Sequence, residues 1–171
     1  MALLEIKKYP DALLQQKTEP VSEYDAELQK LIDDMIETMY AAPGVGLAAN
    51  QVGVSRQLAV VDVSARDGES SLMVLINPEI VCLEGEEAYE EGCLSLPDYT
   101  TVVKRAMKVT VKGTNRHKQP VEIEAEGILA RALQHEIDHL NGVLLIDRIG
   151  RIKKEFFKKR YARDRASSRK D

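Results

Sequence analysis

Gln134-His135-Glu136-Ile137-Asp138-His139 carries an HExxH pattern inside a stretch with helical periodicity, and the rest of the chain is best interpreted around it. Since an α-helix brings positions i and i+4 to the same face, His135 and His139 are predicted to lie one above the other. Their imidazoles can then bind one divalent metal ion, with Glu136 beside them as a proton carrier. Only three histidines occur in the chain, and two of them are in this segment. The pattern therefore predicts a metal site on a buried helix, but it leaves the third ligand open.

The helix that carries this pattern is predicted to run from Gly127 to the cap pair Asn141-Gly142. Ser22-Glu23-Tyr24-Asp25 resembles a capping box and precedes apolar residues at helical spacing, so a first helix is predicted over 24–41. Segments that are rich in β-branched residues, or that alternate apolar with polar residues, predict strands. These strands are at 57–64, 71–76, 79–83, 102–111 and 121–125.

The remaining segments complete the prediction of an α+β fold. Residues 44–53 are mostly small and predict a loop. A last amphipathic helix is predicted from Arg148 onward, and its apolar positions are Ile149, Ile152, Phe156 and Tyr161. This order of elements is typical of mainly antiparallel sheets packed around the central helix, with an N-terminal and a C-terminal helix. We expect one domain, with the site in residues 1–149 and a basic extension over 150–171.

Composition indicates a single soluble globular domain. The 171 residues include 44% apolar and 30% charged residues, which is the usual balance of such proteins. No apolar run is long enough to span a bilayer, and the first residues become charged too early for a signal peptide. Two cysteines, Cys82 and Cys93, do not form a disulfide framework. We therefore expect a cytoplasmic protein without membrane association, in which a functional thiol is a catalytic group or a metal ligand.

The third metal ligand distinguishes the classes of HExxH protein. Among zinc metalloproteases, one branch requires a histidine where this chain has Leu145, and another requires a carboxylate on a following helix. Asp147 and Glu155 are present there, but nothing else favours them. Cys93 offers a thiolate, and with two imidazoles it would leave one open position on a tetrahedral ion, as a catalytic site needs. Cys82 lies in a predicted strand and is interpreted as a small core residue.

Three motifs occur in one order: Gly44–Gln51 reads GVGLAANQ, Glu91–Pro97 reads EGCLSLP, and Gln134–Gly142 reads QHEIDHLNG. In this combination the chain resembles bacterial-type peptide deformylases along essentially its full length. The resemblance implies a hydrolase that removes the formyl group from the initiator formyl-methionine of nascent polypeptides and releases formate. An HExxH zinc metalloprotease is the second interpretation. A third is a catalytically silent, metal-stabilised module that binds ribosomes.

The resemblance also implies a role for each motif residue. The metal ligands would be Cys93, His135 and His139. A water on the metal would be the nucleophile, and Glu136 would accept its proton and later donate one to the departing amine. The side-chain amide of Gln51 and the backbone N–H of Leu94 would stabilise the oxyanion. Fe²⁺ is the implied ion, and Ni²⁺, Co²⁺ or Zn²⁺ can replace it because this ligand set does not choose among them.

An apolar pocket for the methionine side chain is implied beside the metal. Its residues at the matching positions are Val45, Tyr89, Ile128 and Ala132, with His135 at the base. Backbone groups around Gly46 would pair with the substrate as an added strand, a contact that is largely indifferent to side chains. Arg131 is expected near the rim, where it either tunes the preference for downstream residues or reaches solvent.

Residues around the ligands carry less specific predictions. Glu91 is the best candidate to accept the second N–H of a ligand histidine. Asp138 and Arg105 are predicted to form an ion pair, which is either a support for the site or merely structural. His117 is interpreted as an exposed turn residue without a catalytic role.

Two positions depart from the common pattern of the family. Asn50 stands where proline or threonine is frequent, which makes the rigidity of the loop next to Gln51 less certain. Leu96 stands where isoleucine is frequent, and because this change conserves volume we expect little consequence.

The C-terminal residues carry a charge opposite to that of the body. Residues 150–171 have a net charge of +7, whereas the rest of the chain has −11. Such a run is either a solvated face or a surface that binds phosphate groups. The resemblance implies that this extension docks on the ribosome. Truncation after Gly150 is therefore expected to weaken ribosome binding and to spare the hydrolysis of a short formyl peptide.

Overall fold

The computed structural model describes residues 2–64 and 71–169 of the chain. The helices are α1 (Ala26–Ala41), α2 (Gly127–Leu140) and α3 (Arg151–Arg169). The strands are β1 (Gly46–Ala48), β2 (Leu58–Val61), β3 (Met73–Glu84), β4 (Glu87–Cys93), β5 (Leu96–Arg105), β6 (Lys108–Thr114) and β7 (Pro120–Glu126). Short 3₁₀ turns lie at Ala12–Gln15, Ala49–Val52 and Leu145–Arg148.

The strands form two antiparallel sheets. The larger has the order β1-β2-β3-β6-β7, and β4 pairs with β5 in a separate hairpin. All four residues of β2 are buried. Since successive side chains in a strand point in opposite directions, both faces of β2 are covered. Val60 packs into a cluster with the apolar residues of α1, and Val61 packs into a cluster with those of α2. The predicted α+β fold, with antiparallel sheets around a central HExxH helix, is confirmed.

The ends of the helices follow the signals in the sequence except at α1, where the cap is Asp25 and not Ser22 of the predicted capping box. Asp25 caps α1 by accepting a hydrogen bond from the backbone N–H of Leu28 at 2.9 Å. Helix α2 begins at Gly127, as predicted, and is capped at its C-terminus by Asn141. Gly142 then has a φ of 76°, and a Cβ there would lie 2.8 Å from the backbone of the chain near Gln16. Glycine is therefore required at this turn, which brings the N-terminal arm against the end of α2.

The strands differ from the prediction in several places. Strand β4 was not predicted, and residues 44–53, predicted as a loop, contain the short strand β1. The segments predicted at 71–76 and 79–83 form one strand, β3, with irregular register. The segment predicted at 102–111 is divided between β5 and β6, because the side chain of Gln134 forms hydrogen bonds with both backbone groups of Ala106. Its side chain donates to the carbonyl of Ala106 and accepts from its N–H, each at 3.0 Å. The following residue, Met107, is exposed rather than part of a buried alternating face.

Cys82 lies in a strand, as predicted, but the prediction that it is a core residue is wrong, since it is exposed. It pairs with Thr110, whereas its neighbour Leu83 pairs with the buried Val109. Since adjacent side chains point to opposite faces, Cys82 is directed away from α2.

Two of the four apolar positions predicted for the last helix, Ile152 and Phe156, are wrong, whereas Ile149 and Tyr161 pack against a buried cluster as predicted. Phe157 is only 5% exposed, while Phe156 is 67% and Ile152 is 74% exposed. Phe157 and Tyr161 are one turn apart and both contact the ring of Tyr9, with centroid distances of 5.3 and 5.1 Å. The first half of α3 therefore packs on the body of the protein. Leu96, which replaces the frequent isoleucine, is buried in the same cluster.

No helix in the described part of the chain has the length and apolar character needed to cross a membrane.

Candidate metal centre and substrate cleft

Three potential metal ligands meet at the inner end of a cleft. Helix α2 places His135 and His139 one turn apart, with their Nε2 atoms separated by 3.1 Å. The Sγ of Cys93 lies 3.2 Å from Nε2 of His139, and all three ligand atoms are within 4.8 Å of one another. Ligands of a tetrahedral ion with bonds of about 2.0–2.3 Å are separated by roughly 3.4 Å. The three predicted ligands are thus brought together with a spacing that fits one metal ion.

Cys93 reaches this position through a hairpin that the sequence did not predict. It ends β4, pairs with Leu96 of β5, and follows a shift of register at Gly92. The hairpin turn is held against the N-terminal arm, because the N–H of Tyr9 donates to the carbonyl of Ser95 at 2.9 Å. The thiol is therefore positioned by elements that are distant from α2 in sequence.

Histidine 139 has the protonation state that a metal ligand requires. Burial, together with the charge of His135, lowers the pKa of His139 well below its ordinary value. Its imidazole is therefore neutral at physiological pH and has a lone pair available on one ring nitrogen.

Glu136 is buried beside the ligands. Its burial raises the pKa of the carboxyl to about 7, and this effect outweighs the opposing charges of His135 and Arg105. Among the described residues, Oε2 of Glu136 has no hydrogen-bond partner. A carboxyl group that lines the cleft, with a pKa near neutrality, is suited to accept and release a proton.

Gln51 is held with its side chain directed at the same point. Its Oε1 accepts from the N–H of Ala48 at 3.0 Å, which fixes the orientation of the amide. Its Nε2 donates to Oγ of Ser95 at 3.1 Å and lies 3.8 Å from Sγ of Cys93. Leu94, the next residue along, lines the cleft.

The cleft above these residues has a volume of about 730 Å³. Every residue predicted for the methionine pocket lines it: Val45, Gly46, Tyr89, Ile128, Ala132 and His135. Tyr89 is 53% and Ile128 is 41% exposed, so these two form the rim, while Ala132 is buried. The cleft lies in the size range of ligand-binding clefts and has room for more than one side chain.

Glu91 lies at the centre of an ion-pair network behind His135. One of its oxygens is 3.2 Å from Nδ1 of His135, and Arg105 donates to both, at 2.7 and 3.0 Å. Burial alone would raise the pKa of Glu91, but the bonds from His135 and Arg105 prevail and lower it to about 2. This carboxylate is therefore ionised and can orient the ring of His135, as predicted.

The network extends to residues for which the sequence left alternatives. Arg105 also donates to Asp138 at 2.9 Å, so the predicted ion pair exists and is connected to Glu91. Arg131 donates to Glu91 at 2.7 Å and lies over the ring of Tyr89 at 5.0 Å, so it does not extend into solvent. Arg148, which sequence analysis missed, donates twice to Asp138, at 2.7 and 3.0 Å. His117 is exposed in a turn, as expected.

Asn50 does not loosen the loop before Gln51. Its side chain is fully buried, and Nδ2 donates to the backbone carbonyl of His139 at 2.5 Å. A longer contact of 3.4 Å joins Nδ2 to the carbonyl of Leu13. The expectation of lower rigidity at this position is thus at odds with the contacts that Asn50 makes.

The fold and the site define a class: metal-dependent hydrolases in which an HExxH helix supplies two imidazoles and a separate turn supplies a thiolate. The chain belongs to the polypeptide deformylase family, whose model matches residues 3–155.

Individual relatives agree with this assignment. A peptide deformylase of Thermodesulfovibrio yellowstonii is 62% identical, over 94% of this chain and 98% of the relative. A peptide deformylase of Syntrophobacter fumaroxidans is 55% identical, over 94% of this chain and 95% of the relative. The crystal structure of a peptide deformylase from Legionella pneumophila is 44% identical, with a TM-score of 0.88 and coverage of 99% of each chain. These similarities extend over nearly the whole chain and do not favour the zinc metalloprotease.

Proposed function

We propose that the protein removes the formyl group from the N-terminal formyl-methionine of nascent polypeptides, releasing formate. Membership of the deformylase family supports this function. The observation that carries it is the meeting of a thiol and two imidazoles at the inner end of an apolar cleft, next to a buried carboxyl group.

In this proposal Cys93, His135 and His139 hold a divalent ion. When bound, such an ion lowers the pKa of a water ligand towards neutrality and so supplies a nucleophile at physiological pH. Glu136 accepts the proton of the attacking water and delivers it to the amine that departs when the formyl C–N bond breaks. Gln51 and the N–H of Leu94 donate hydrogen bonds to the formyl oxygen as negative charge develops on it.

Substrate selection would depend on the cleft and on strand β1. The methionine side chain would occupy the space bounded by Val45, Tyr89, Ile128 and Ala132. Strand β1 is an edge of the larger sheet, and its first residue, Gly46, lines the cleft, where it can form backbone hydrogen bonds with an extended peptide. Such contacts accept many sequences after the first residue, as an enzyme that processes many nascent chains requires.

The function is tested by measuring formate release from formyl-Met-Ala-Ser, with the acetylated peptide as control. We expect metal-dependent release from the formyl peptide alone. Cleavage of internal bonds in a longer peptide, without formate release, would instead support the metalloprotease. Metal binding without either reaction would support a catalytically silent module.

The proposed metal is Fe²⁺, and its identity is open to a direct test. A ferrous ion held by one thiolate in a water-accessible cleft should be oxidised in air, so aerobic purification is expected to lose most of the activity. Reconstitution with Ni²⁺ should restore it, because the ligand set accepts either ion. Metal content and formate release are measured on the same samples. Full aerobic activity with one zinc ion per chain would contradict the iron assignment.

Gly46→Ala tests the close approach of β1 to the proton carrier. A Cβ at position 46 would lie 2.8 Å from Oε2 and Cγ of Glu136, so that side chain has to move. Since a displacement of about 1 Å can cost about 10²-fold in rate, we expect kcat to fall by about 10- to 100-fold. The metal content should stay unchanged, because the three atoms nearest to this Cβ all belong to Glu136 and not to a ligand. An unchanged kcat would mean that Glu136 does not need its present position.

We also propose that the basic α3 docks on the ribosome, which implies a cytoplasmic location. The packing of Phe157 makes truncation after Gly150 a poor test, because it removes part of the core. Charge reversal of the exposed residues Lys159, Arg160 and Arg163 to Glu leaves that packing intact. Ribosome affinity should fall at least about 10-fold and depend less on salt, since fewer phosphate contacts remain.

The matched control for this surface reverses three exposed lysines of the body: Lys17, Lys104 and Lys112. It changes the net charge by the same amount but leaves α3 intact. Both variants should hydrolyse formyl-Met-Ala-Ser at the wild-type rate. Equal loss of ribosome binding in both would show a general charge effect and would refute docking through α3.

A further inference from the structure

The side chain of Asn50 connects two parts of the site that are distant in sequence. It lies in the 3₁₀ turn Ala49–Val52, directly before Gln51, and is fully buried. Its Nδ2 donates at 2.5 Å to the backbone carbonyl of His139, in the last turn of α2. One buried side chain thus joins the turn that carries the proposed oxyanion donor to a proposed metal ligand.

The hydrogen bond from Asn50 restrains a backbone carbonyl in the last turn of α2. Carbonyl groups in the final turn of a helix have no partner within the helix and are free to tilt. The carbonyl of His139 accepts from the N–H of Gly142 at 3.0 Å and from Asn50 at 2.5 Å. The second of these bonds comes from a different element. It therefore fixes the position of His139 along and around the helix axis relative to the turn that holds Gln51.

The two histidines are held in different ways. The ring of His135 is oriented by Glu91, which lies 3.2 Å from its Nδ1. The Nδ1 of His139 is buried and has no hydrogen-bond partner within the part of the chain that the structure describes. Apart from the contacts of its Nε2 with Cys93 and His135, the position of the His139 imidazole therefore depends on its backbone, to which the side chain of Asn50 is bonded.

We propose that Asn50 is a positioning residue, which sets the place of His139 relative to Gln51 through the His139 carbonyl. The proposal rests on the proposed function for its effect on turnover, but its effect on metal binding is independent of any substrate. Hydrogen bonds that orient a metal ligand typically contribute about 10- to 100-fold to metal affinity or activity.

The first test is Asn50→Leu, which keeps a similar volume but removes the donor. Co²⁺ affinity, measured by competition with a chelator, should fall by about 10-fold. The absorption bands of the Co²⁺-loaded protein should change, because they report the arrangement of the ligands. In formate release, kcat should fall by about 10-fold while KM stays within about twofold, since the cleft is not altered.

Asn50→Thr is a second variant for the case in which Asn50→Leu does not fold. Its hydroxyl is one bond closer to the main chain, so it cannot make the same short bond to the His139 carbonyl. We expect Co²⁺ affinity, the absorption bands and kcat to change in the same direction as in Asn50→Leu, but by less.

The matched control is Asn77→Ala. Asn77 also bridges backbone groups with its side chain, donating to the carbonyl of Val21 at 2.9 Å and accepting from its N–H at 2.8 Å. This contact is not part of the site, so Tm should fall while the Co²⁺ spectrum, Co²⁺ affinity and kcat stay at wild-type values. The proposal is overturned if the Asn50 variants have an unchanged spectrum and affinity, or if Asn77→Ala alters both equally.

Discussion

Glu136→Gln is expected to lower kcat for formate release by about 10²- to 10⁴-fold, which is the usual contribution of a general acid–base group. The amide has the same shape as the carboxyl group but cannot accept the proton of the attacking water. The three ligand residues are unchanged, so metal content should remain at the wild-type level. Because Glu136 acts on the reacting atoms and does not bind the methionine side chain, KM should change little.

The stability of the metal-free protein provides a control for this variant. The buried carboxyl of Glu136 has a pKa of about 7, above its ordinary value of 4.5. The folded state therefore binds a proton more tightly than the unfolded state, and this contribution is lost as the pH rises through 7. Wild type should lose stability between about pH 4.5 and 7 relative to Glu136→Gln. A full rate for the variant, with the metal bound, would assign proton transfer to another group.

Cys93→Ala is expected to abolish stable metal binding and formate release. The change leaves two imidazoles, which do not complete the three protein ligands of a catalytic site. Metal content after dialysis should be close to zero, measured by elemental analysis.

Cys82→Ala is the natural control for Cys93→Ala, since the other cysteine of the chain is exposed in β3. It should keep the wild-type metal content and rate. If Cys93→Ala retained one ion per chain and a normal rate, the third ligand would have to be a different group, such as a carboxylate.

The helices and the ligand set could be predicted because their signals are local. The apolar spacing of α1, the cap at Asp25 and the turn at Gly142 are all contained in short segments. Strand β4 was missed because Glu87–Cys93 is acidic and half exposed, so it has no apolar alternation. The division between β5 and β6 depends on Gln134, which is far away in sequence.

At the site, too, local signals could be predicted and contacts between distant segments mostly could not. The residues that meet at the inner end of the cleft are those of three motifs. The HExxH spacing predicted two metal ligands, whereas the roles of Gln51 and Leu94 were implied only by the resemblance. Glu91 and the pair of Arg105 with Asp138 were predicted, but the contacts of Arg131, Arg148 and Asn50 were not, because they join distant segments. The orientation of Cys82 and of Phe156 was predicted wrongly, since a bulge or a single helical position decides which side chain faces the core.

Strand β1 has a consequence for self-association. An exposed sheet edge presents unpaired backbone groups, through which copies of a protein can associate by strand pairing. Here the edge strand has three residues, Gly46–Ala48, and its first residue lies within the cleft. The short length limits the number of bonds that a neighbouring copy can make, while a peptide end that enters the cleft gains the pocket as well. Since Leu47 and Ala48 are fully buried, the protein keeps only the start of this sheet edge open for its substrates, at little risk of forming aggregates through it.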